Sequence, residues 1–343
     1  PPEHVMKAVA ESVNNAEDYK YSLVDSEEML NAVVDYYADR YNTVIKADEI
    51  TAVRGTQEGM GHLGMAILNP GDVVLLPDPG YPVFEAGSYL GGAEVYYYPL
   101  LRENNFLPVI EDIPEDVLNK TKYIVLSYPS NPVGASAPKE MYVRMIEYAK
   151  KYNFAIINDN AYSDIIFDGR EGFSFLSLPG AKDVGVEFFS LSKSYNVTGL
   201  RISFCIGNKS IIDAFKLLRS QYDFGMSYPA QKAAIAALRG PRDSVKAQCA
   251  EYQRRRDALL NGLRKYGWNV PDSHGTMFVW LPVPEGYTSA SFTEALMDKA
   301  GVIGTPGTAF GPLGEGYIRF ALTKSAEELA VIADVIGQSG VLS

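Results

Sequence analysis

The chain has 343 residues, 47% of them hydrophobic and 21% charged, and a formal net charge of −11. That length allows a large core plus a smaller unit, and the acidity argues against nucleic acid or an anionic membrane surface as a main partner. Two cysteines without a CxxC pair and three scattered histidines speak against a disulfide framework or a metal centre; with no signal-peptide pattern and no apolar run of about 18 residues, a cytoplasmic setting is expected.

The chain opens at Pro1-Pro2-Glu3-His4, which reads as a helix start and suggests that preceding residues are missing. The first strand expected is 50–53. It leads into Arg54-Gly55-Thr56-Gln57-Glu58-Gly59, where Gly55 permits a tight backbone and Thr56 and Gln57 open a helix. Free N–H groups at such a helix start attract phosphate, although an ordinary helix cap has the same signature.

Gly59-Met60-Gly61-His62-Leu63-Gly64 then matches G-x-G-x-x-G, and Asp78 lies 19 residues after Gly59. A nicotinamide-dependent dehydrogenase is one reading of that pattern. However, the glycines fall inside the expected helix and not in the strand-to-helix turn. Small residues for helix–sheet packing are the preferred reading.

Four further apolar runs read as buried strands: 73–76, 123–126, 154–157 and 187–190. Continuous apolar runs suit strands of a parallel sheet covered on both faces. Helical stretches such as 139–152 lie between them, so an α/β fold is expected, a mainly parallel sheet sandwiched by helices. In such sheets ligands bind beyond the carboxyl ends of the strands. Tyr81, Asn131, Asp159 and Lys193 all sit near such ends and should converge on one crevice.

The last third changes character. A polar helix over 244–265 is followed by a strand at 277–281, a helix from about 291, a Gly/Pro-rich stretch over 301–316 and a strand at 317–321. This predicts a smaller α+β domain. The expected division is 26–250 for a large cofactor-binding domain, with 1–25 and 251–343 forming the small one.

Lys193 follows an apolar strand and is flanked by hydroxyls in Ser190-Leu191-Ser192-Lys193. A surface lysine is the plain alternative, but a desolvated lysine has a lowered pKa and forms imines with carbonyls. Arg201, eight residues on, has a guanidinium fork suited to phosphate. Asp159 reads either as a helix cap or as a buried carboxylate needing a cation, such as a protonated pyridine nitrogen. Tyr162 and Asn131 could hydrogen-bond a phenolic oxygen; Asn131 also fits a plain turn before Pro132.

Taken together, Ser190-x-Ser-Lys193 with Arg201, Asn158-Asp159-Asn160-Ala161-Tyr162, Ser130-Asn131-Pro132-Val133-Gly134 and Tyr317-Ile318-Arg319 resemble the fold-type I, class I/II aminotransferases. The similarity runs in order over nearly the whole chain. Gln221-Tyr222-Asp223-Phe224-Gly225 and Pro229-Ala230-Gln231-Lys232-Ala233-Ala234 look closest to the branch holding LL-diaminopimelate and alanine aminotransferases.

The resemblance implies an aspartate-aminotransferase-like large domain and pyridoxal 5′-phosphate as cofactor. Lys193 would form the Schiff base and shuttle the proton. Asp159 would pair with the pyridine nitrogen, and Tyr162 and Asn131 would hold the phenolic oxygen. Tyr81 would stack on the ring, while Gly55, Thr56, Gln57, Ser190, Ser192 and Arg201 would cup the phosphate. Arg319, with Asn131, would take the substrate carboxylate.

Tyr21 would reach the phosphate of a neighbouring subunit, which implies a homodimer with shared active sites. Amino acids and 2-oxo acids, 2-oxoglutarate among them, are the substrates implied. LL-diaminopimelate, alanine and aspartate are possible donors. Arg219 is weighed as a reader of a distal carboxylate but fits a solvated helix arginine better. A cystathionine-type β-lyase and a non-catalytic regulator with the same fold remain as alternatives.

Overall fold

The computed structural model describes residues 1–342. Seven strands build the larger sheet: β1 (Ile50–Val53), β2 (Val73–Asp78), β3 (Glu94–Pro99), β4 (Thr121–Ser127), β5 (Ala155–Asn160), β6 (Gly185–Ser190) and β7 (Ser203–Gly207). Their order is β1-β7-β6-β5-β4-β2-β3. β7 runs antiparallel to both neighbours; every other pairing is parallel.

The apolar runs become central strands because both faces are covered. β2, β6 and β7 are buried throughout. Alternation sends Phe189 and Ile156 into one core, with Tyr36 and Tyr37, and Phe188 and Ile157 into the other, with Leu63 and Phe215. Helix Lys139–Tyr152 has the bounds its periodicity predicts and ends at Asn153, whose left-handed backbone (φ 57°) closes it.

A second, antiparallel sheet has the order β8-β10-β9, from β8 (Phe278–Pro282), β9 (Thr305–Pro306) and β10 (Tyr317–Ala321). Its core gathers Leu259, Leu263, Trp268, Phe292, Phe320 and Ile336. Helix Asp243–Lys265 joins the two cores: Val245 belongs to the first, Leu259 to the second. The N-terminal residues differ from the division expected at 1–25. Val5 of helix Glu3–Val13 is buried in the core of the larger sheet, and the helix packs on Tyr228–Arg239.

The G-x-G-x-x-G stretch is a packing device. On Gly59 a Cβ would come within 2.6 Å of Phe188 and 3.0 Å of Val53; on Gly64 it would meet the Gly87 carbonyl at 2.0 Å. The glycines let helix Thr56–Ile67 lie flush on the sheet and on helix Val83–Gly91. Among the described residues no helix is long and apolar enough to cross a membrane.

Candidate active site

The carboxyl ends of β1, β2, β4, β5 and β6 open toward the second sheet, and a cleft of about 230 Å³ lies between them. Gly55, Thr56, Gln57, Tyr81, Asn131, Asp159, Tyr162, Ser190, Ser192, Lys193, Arg201 and Arg319 all line it. Two lining residues were not foreseen, Ala161 and Phe278. Phe278 begins β8 and shares a face with Trp280, so period-2 alternation in the 277–281 run held the signal.

Asp159 stands inside β5, not in the loop after it. Its side chain is buried, and Oδ1 meets no hydrogen-bond donor. Burial raises its pKa from 3.8 to about 7, opposed by the Ala161 N–H and assisted by the charge of Glu187. Glu187, on the opposite face of the neighbouring strand, is itself fully buried. It accepts hydrogen bonds from Tyr37 Oη (2.8 Å), Ser174 Oγ (2.8 Å), Asn158 Nδ2 (2.9 Å) and the Phe175 N–H (2.9 Å). Glu187 is satisfied; Asp159 waits for a cation.

This has a thermodynamic consequence for the cofactor-free protein. The folded-state pKa of Asp159 is raised, so ionisation opposes folding as pH climbs from about 4 through 7. The shift from 3.8 to about 7 corresponds to roughly 4 kcal/mol. Asp159→Asn should therefore gain stability over the wild type across this window, up to about that amount, as measured by denaturant unfolding of the two apo proteins at pH 5 and pH 8. A pH-independent difference would contradict the buried, unpaired carboxylate.

Lys193 sits in the one-turn helix Leu191–Ser194 directly after β6. Ser190 caps the turn by accepting the Ser192 N–H (3.2 Å), and Gln248 Nε2 donates to the Lys193 carbonyl (2.5 Å). The amine is half-buried, and its pKa is lowered by desolvation first and by the Arg201 charge second. Two cations thus face one cleft.

Arg201 itself adopts a left-handed backbone (φ 56°) and donates from Nη1 to the Thr198 carbonyl (3.0 Å). Across from it Gly55 has φ 95°, and a Cβ there would lie 2.0 Å from Arg201 Nη2. Only glycine leaves room for the guanidinium beside the helix start. Thr56 and Gln57, as first residues of that helix, present N–H groups the helix cannot satisfy. Ser203 Oγ lies 2.9 Å from Ser190 Oγ.

Arg319 enters from β10. Its guanidinium is held between the rings of Phe278 (4.0 Å) and Phe310 (4.4 Å), and Nη1 donates to Asn131 Oδ1 (2.7 Å). Nε meets no acceptor. Desolvation lowers its pKa, while Tyr162 and Tyr81 act the other way. With Oδ1 committed to Arg319, the Asn131 amide keeps its N–H donors for the cleft.

The turn carrying Tyr162 is tied down. Asp164 accepts from Tyr36 Oη (3.3 Å), Arg40 Nε (3.4 Å) and Arg242 Nη2 (3.3 Å), and Tyr41 Oη lies 2.9 Å from Ser163 Oγ. Burial and the Asp159 charge raise the Tyr162 pKa, which keeps the phenol protonated. The Tyr81 turn is held by Gly80 N–H donating to the Phe310 carbonyl (2.7 Å) and Leu313 N–H to Asp78 Oδ1 (3.1 Å).

Two residues considered from sequence lie elsewhere. Tyr21 is 84% exposed and lines a separate depression with Arg54, Arg201 and Phe224. Arg219 is 4% exposed and committed: Nε lies 3.3 Å from Asp223 Oδ1, Nη1 donates to Thr51 Oγ1 (3.1 Å) and Nη2 to the Phe224 carbonyl (3.3 Å). It does not line the cleft and is not a solvated helix arginine either.

A lysine of lowered pKa, a buried carboxylate with no donor to Oδ1, a helix start with free N–H groups beside serine hydroxyls, and a desolvated arginine thus share one cleft. The model of the family "Aminotransferase class I and II" matches residues 1–336, and the chain belongs to that family. It is 45% identical over 330 residues to an LL-diaminopimelate aminotransferase of Dehalococcoides mccartyi, and 41% identical over 332 residues to one of Moorella thermoacetica. Each comparison covers 96% of this chain and 85% of the relative.

Among solved structures, apo-BacF from Bacillus subtilis superposes with a TM-score of 0.95 at 34% identity, over 98% of this chain and 91% of that one. An aminotransferase from Staphylococcus aureus gives 0.95 at 33%, over 100% and 91%. The fold is thus that of the aspartate-aminotransferase group, and the protein is a pyridoxal-phosphate-dependent aminotransferase.

Proposed function

We infer that the chain moves the amino group of LL-diaminopimelate, or of a smaller amino acid such as alanine or aspartate, to a 2-oxo acid, with 2-oxoglutarate as acceptor. The observation that carries this reading is the buried Asp159 carboxylate, with no donor to Oδ1, in one cleft with a lysine amine of lowered pKa and an arginine stacked between two rings.

Pyridoxal phosphate, when bound, supplies an electron sink for the charge left at the substrate Cα. The residues present fit it. Lys193 would hold its aldehyde carbon, Asp159 its ring nitrogen, Asn131 and Tyr162 its phenolic oxygen, and Tyr81 one face of its ring. Gly55, Thr56, Gln57, Ser190, Ser192 and Arg201 would hold its phosphate.

Arg319 receives the α-carboxylate on a fork that Phe278 and Phe310 hold in place. The Lys193 amine, when free, would carry the proton between the substrate Cα and the carbon two bonds away across the substrate nitrogen. Its lowered pKa raises the share of the neutral, basic amine. Asp159 loses its desolvation penalty when a cationic nitrogen stands beside it, so protein and ring charge stabilise each other. Rings around Arg319 exclude water and strengthen its hold on the carboxylate.

Replacing Arg319 by lysine should lower kcat/KM for every amino-acid donor by about 10–100-fold, since a bidentate charged contact becomes a single one. The loss should fall mainly in KM, read from initial rates across donors. An unchanged KM would place the carboxylate elsewhere.

Tyr21, exposed and turned away from its own cleft, suits a contact to the phosphate of a second copy; the molecule is proposed to work as a homodimer in the cytoplasm. A donor screen with 2-oxoglutarate tests the substrate. LL-diaminopimelate should exceed alanine, aspartate, glutamate, methionine and aromatic donors by about tenfold or more in kcat/KM, the scale by which a site fitted to an added polar group discriminates. Release of pyruvate and ammonia without any oxo acid would contradict amino transfer.

A further inference from the structure

Below the cup, helices Thr56–Ile67 and Lys209–Tyr222 bring together three side chains that are far apart in sequence. Glu58 and His62 stand one turn apart on the first helix; Asp223 caps the second. His62 Nδ1 lies 3.4 Å from Glu58 Oε1 and 3.6 Å from Asp223 Oδ2. One such atom from each residue falls within 4.8 Å of the others.

A second observation is independent of this clustering. The Asp223 side chain is only 6% exposed; Arg219 Nε stands 3.3 Å from its Oδ1, and Oδ2 meets no hydrogen-bond donor. Glu58 Oε1 and His62 Nδ1 are likewise buried without a hydrogen-bond partner. Orphaned buried polar atoms are rare singly. Here three residues each bring one into the same cluster.

We propose that Glu58, His62 and Asp223 bind a divalent first-row transition ion, with zinc as the reference. Ligand atoms about 2.0–2.1 Å from a tetrahedral zinc stand about 3.3 Å from one another. The imidazole-to-carboxylate separations of 3.4 and 3.6 Å already lie near that edge length. One nitrogen and two carboxylate oxygens suit a borderline ion; calcium needs six or more oxygens. The fourth position is left for water.

The surroundings orient the ligands. The Arg54 N–H donates to Glu58 Oε2 (2.5 Å), which turns Oε1 inward, and Arg219 Nε lies 3.3 Å from Asp223 Oδ1, which leaves Oδ2 toward His62. Arg54 Nη2 donates to the Asp223 carbonyl, so two carboxylates and two guanidinium groups share this corner. The ring of Tyr222 lies edge-on to His62 at 4.9 Å and fixes the imidazole plane. The ion would tie the start of the helix that carries Thr56 and Gln57 to the end of the helix behind it.

The test uses the cofactor-loaded protein, treated with a chelator, desalted and titrated with Co²⁺ and Zn²⁺. Saturable uptake of one ion per chain is expected, with a visible Co²⁺ ligand-field band. Glu58→Gln and His62→Ala should each weaken it by about tenfold or more, and His4→Ala should leave it unchanged. Zinc-edge X-ray absorption on the wild type reads the ligands without any variant: one imidazole nitrogen among oxygens is expected. No saturable uptake, an all-oxygen shell of the kind a phosphate would give, or equal uptake by the His62→Ala protein would overturn the site.

Discussion

Lys193→Ala should lower the rate of amino transfer by at least ~10⁴-fold, the combined scale of losing a covalent anchor and a positioned acid–base group. The cofactor should still bind, because Asp159, Tyr162, Arg201 and the N–H groups of the helix start remain in the cleft. It should, however, lack the absorbance of the carbon–nitrogen double bond to lysine. Added small primary amines should restore part of the proton transfer. A merely structural lysine would give neither the spectral change nor the rescue. Steady-state rates and the visible spectrum of the same preparation decide the matter: a variant within about tenfold of wild type ends the assignment.

Asp159→Asn is expected to have the second largest effect. An ionised carboxylate at the ring nitrogen stabilises charge that develops only as the Cα proton leaves. Removing one preorganised charge of this kind costs ~3–4 kcal/mol, on the order of 10²–10³-fold in rate. The loss should appear in the single-turnover half-reaction with amino acid and in the primary isotope effect of Cα-deuterated donor. The same substitution should make the cofactor-free protein more stable at pH 8, since the buried carboxylate it removes is raised to about 7. Slower chemistry together with a more stable apo fold would mark a residue whose burial cost is kept for function. Near-normal single-turnover rates would contradict the pairing.

The sheet was legible where a strand is buried on both faces. β2, β4, β5 and β6 announce themselves as apolar runs, and β10 and helix Lys139–Tyr152 fall where their patterns place them. β3 went unread because it is an edge strand with only Tyr98 buried, and its three consecutive tyrosines do not read as a strand covered on both faces. β7 went unread for another reason. Ser203, Phe204 and Cys205 follow Arg201 closely, and nothing local tells that the strand turns back antiparallel to β6.

The cleft was legible because polar side chains of complementary chemistry stand at successive strand ends. What escaped were the apolar residues that hold those groups. Phe278 and Phe310 look like ordinary core residues until Arg319 is seen between them. Arg219 was misplaced as a solvated helix residue because its partners, Thr51, Asp223 and Phe224, are set by packing of separate elements. The start of the chain was assigned to the small unit, yet Val5 lies in the large core. Helix periodicity says which face is apolar, not which neighbour covers it.

The most direct measurement is chemical. The protein loaded with pyridoxal phosphate is reduced with borohydride, digested, and its peptides are sequenced by mass spectrometry. Reduction should fix the pyridoxyl group on Lys193 alone, and prior addition of an amino-acid donor should release the cofactor from the chain before it is trapped. A pyridoxyl group on any other lysine, or none retained by the unreacted protein, would contradict the account.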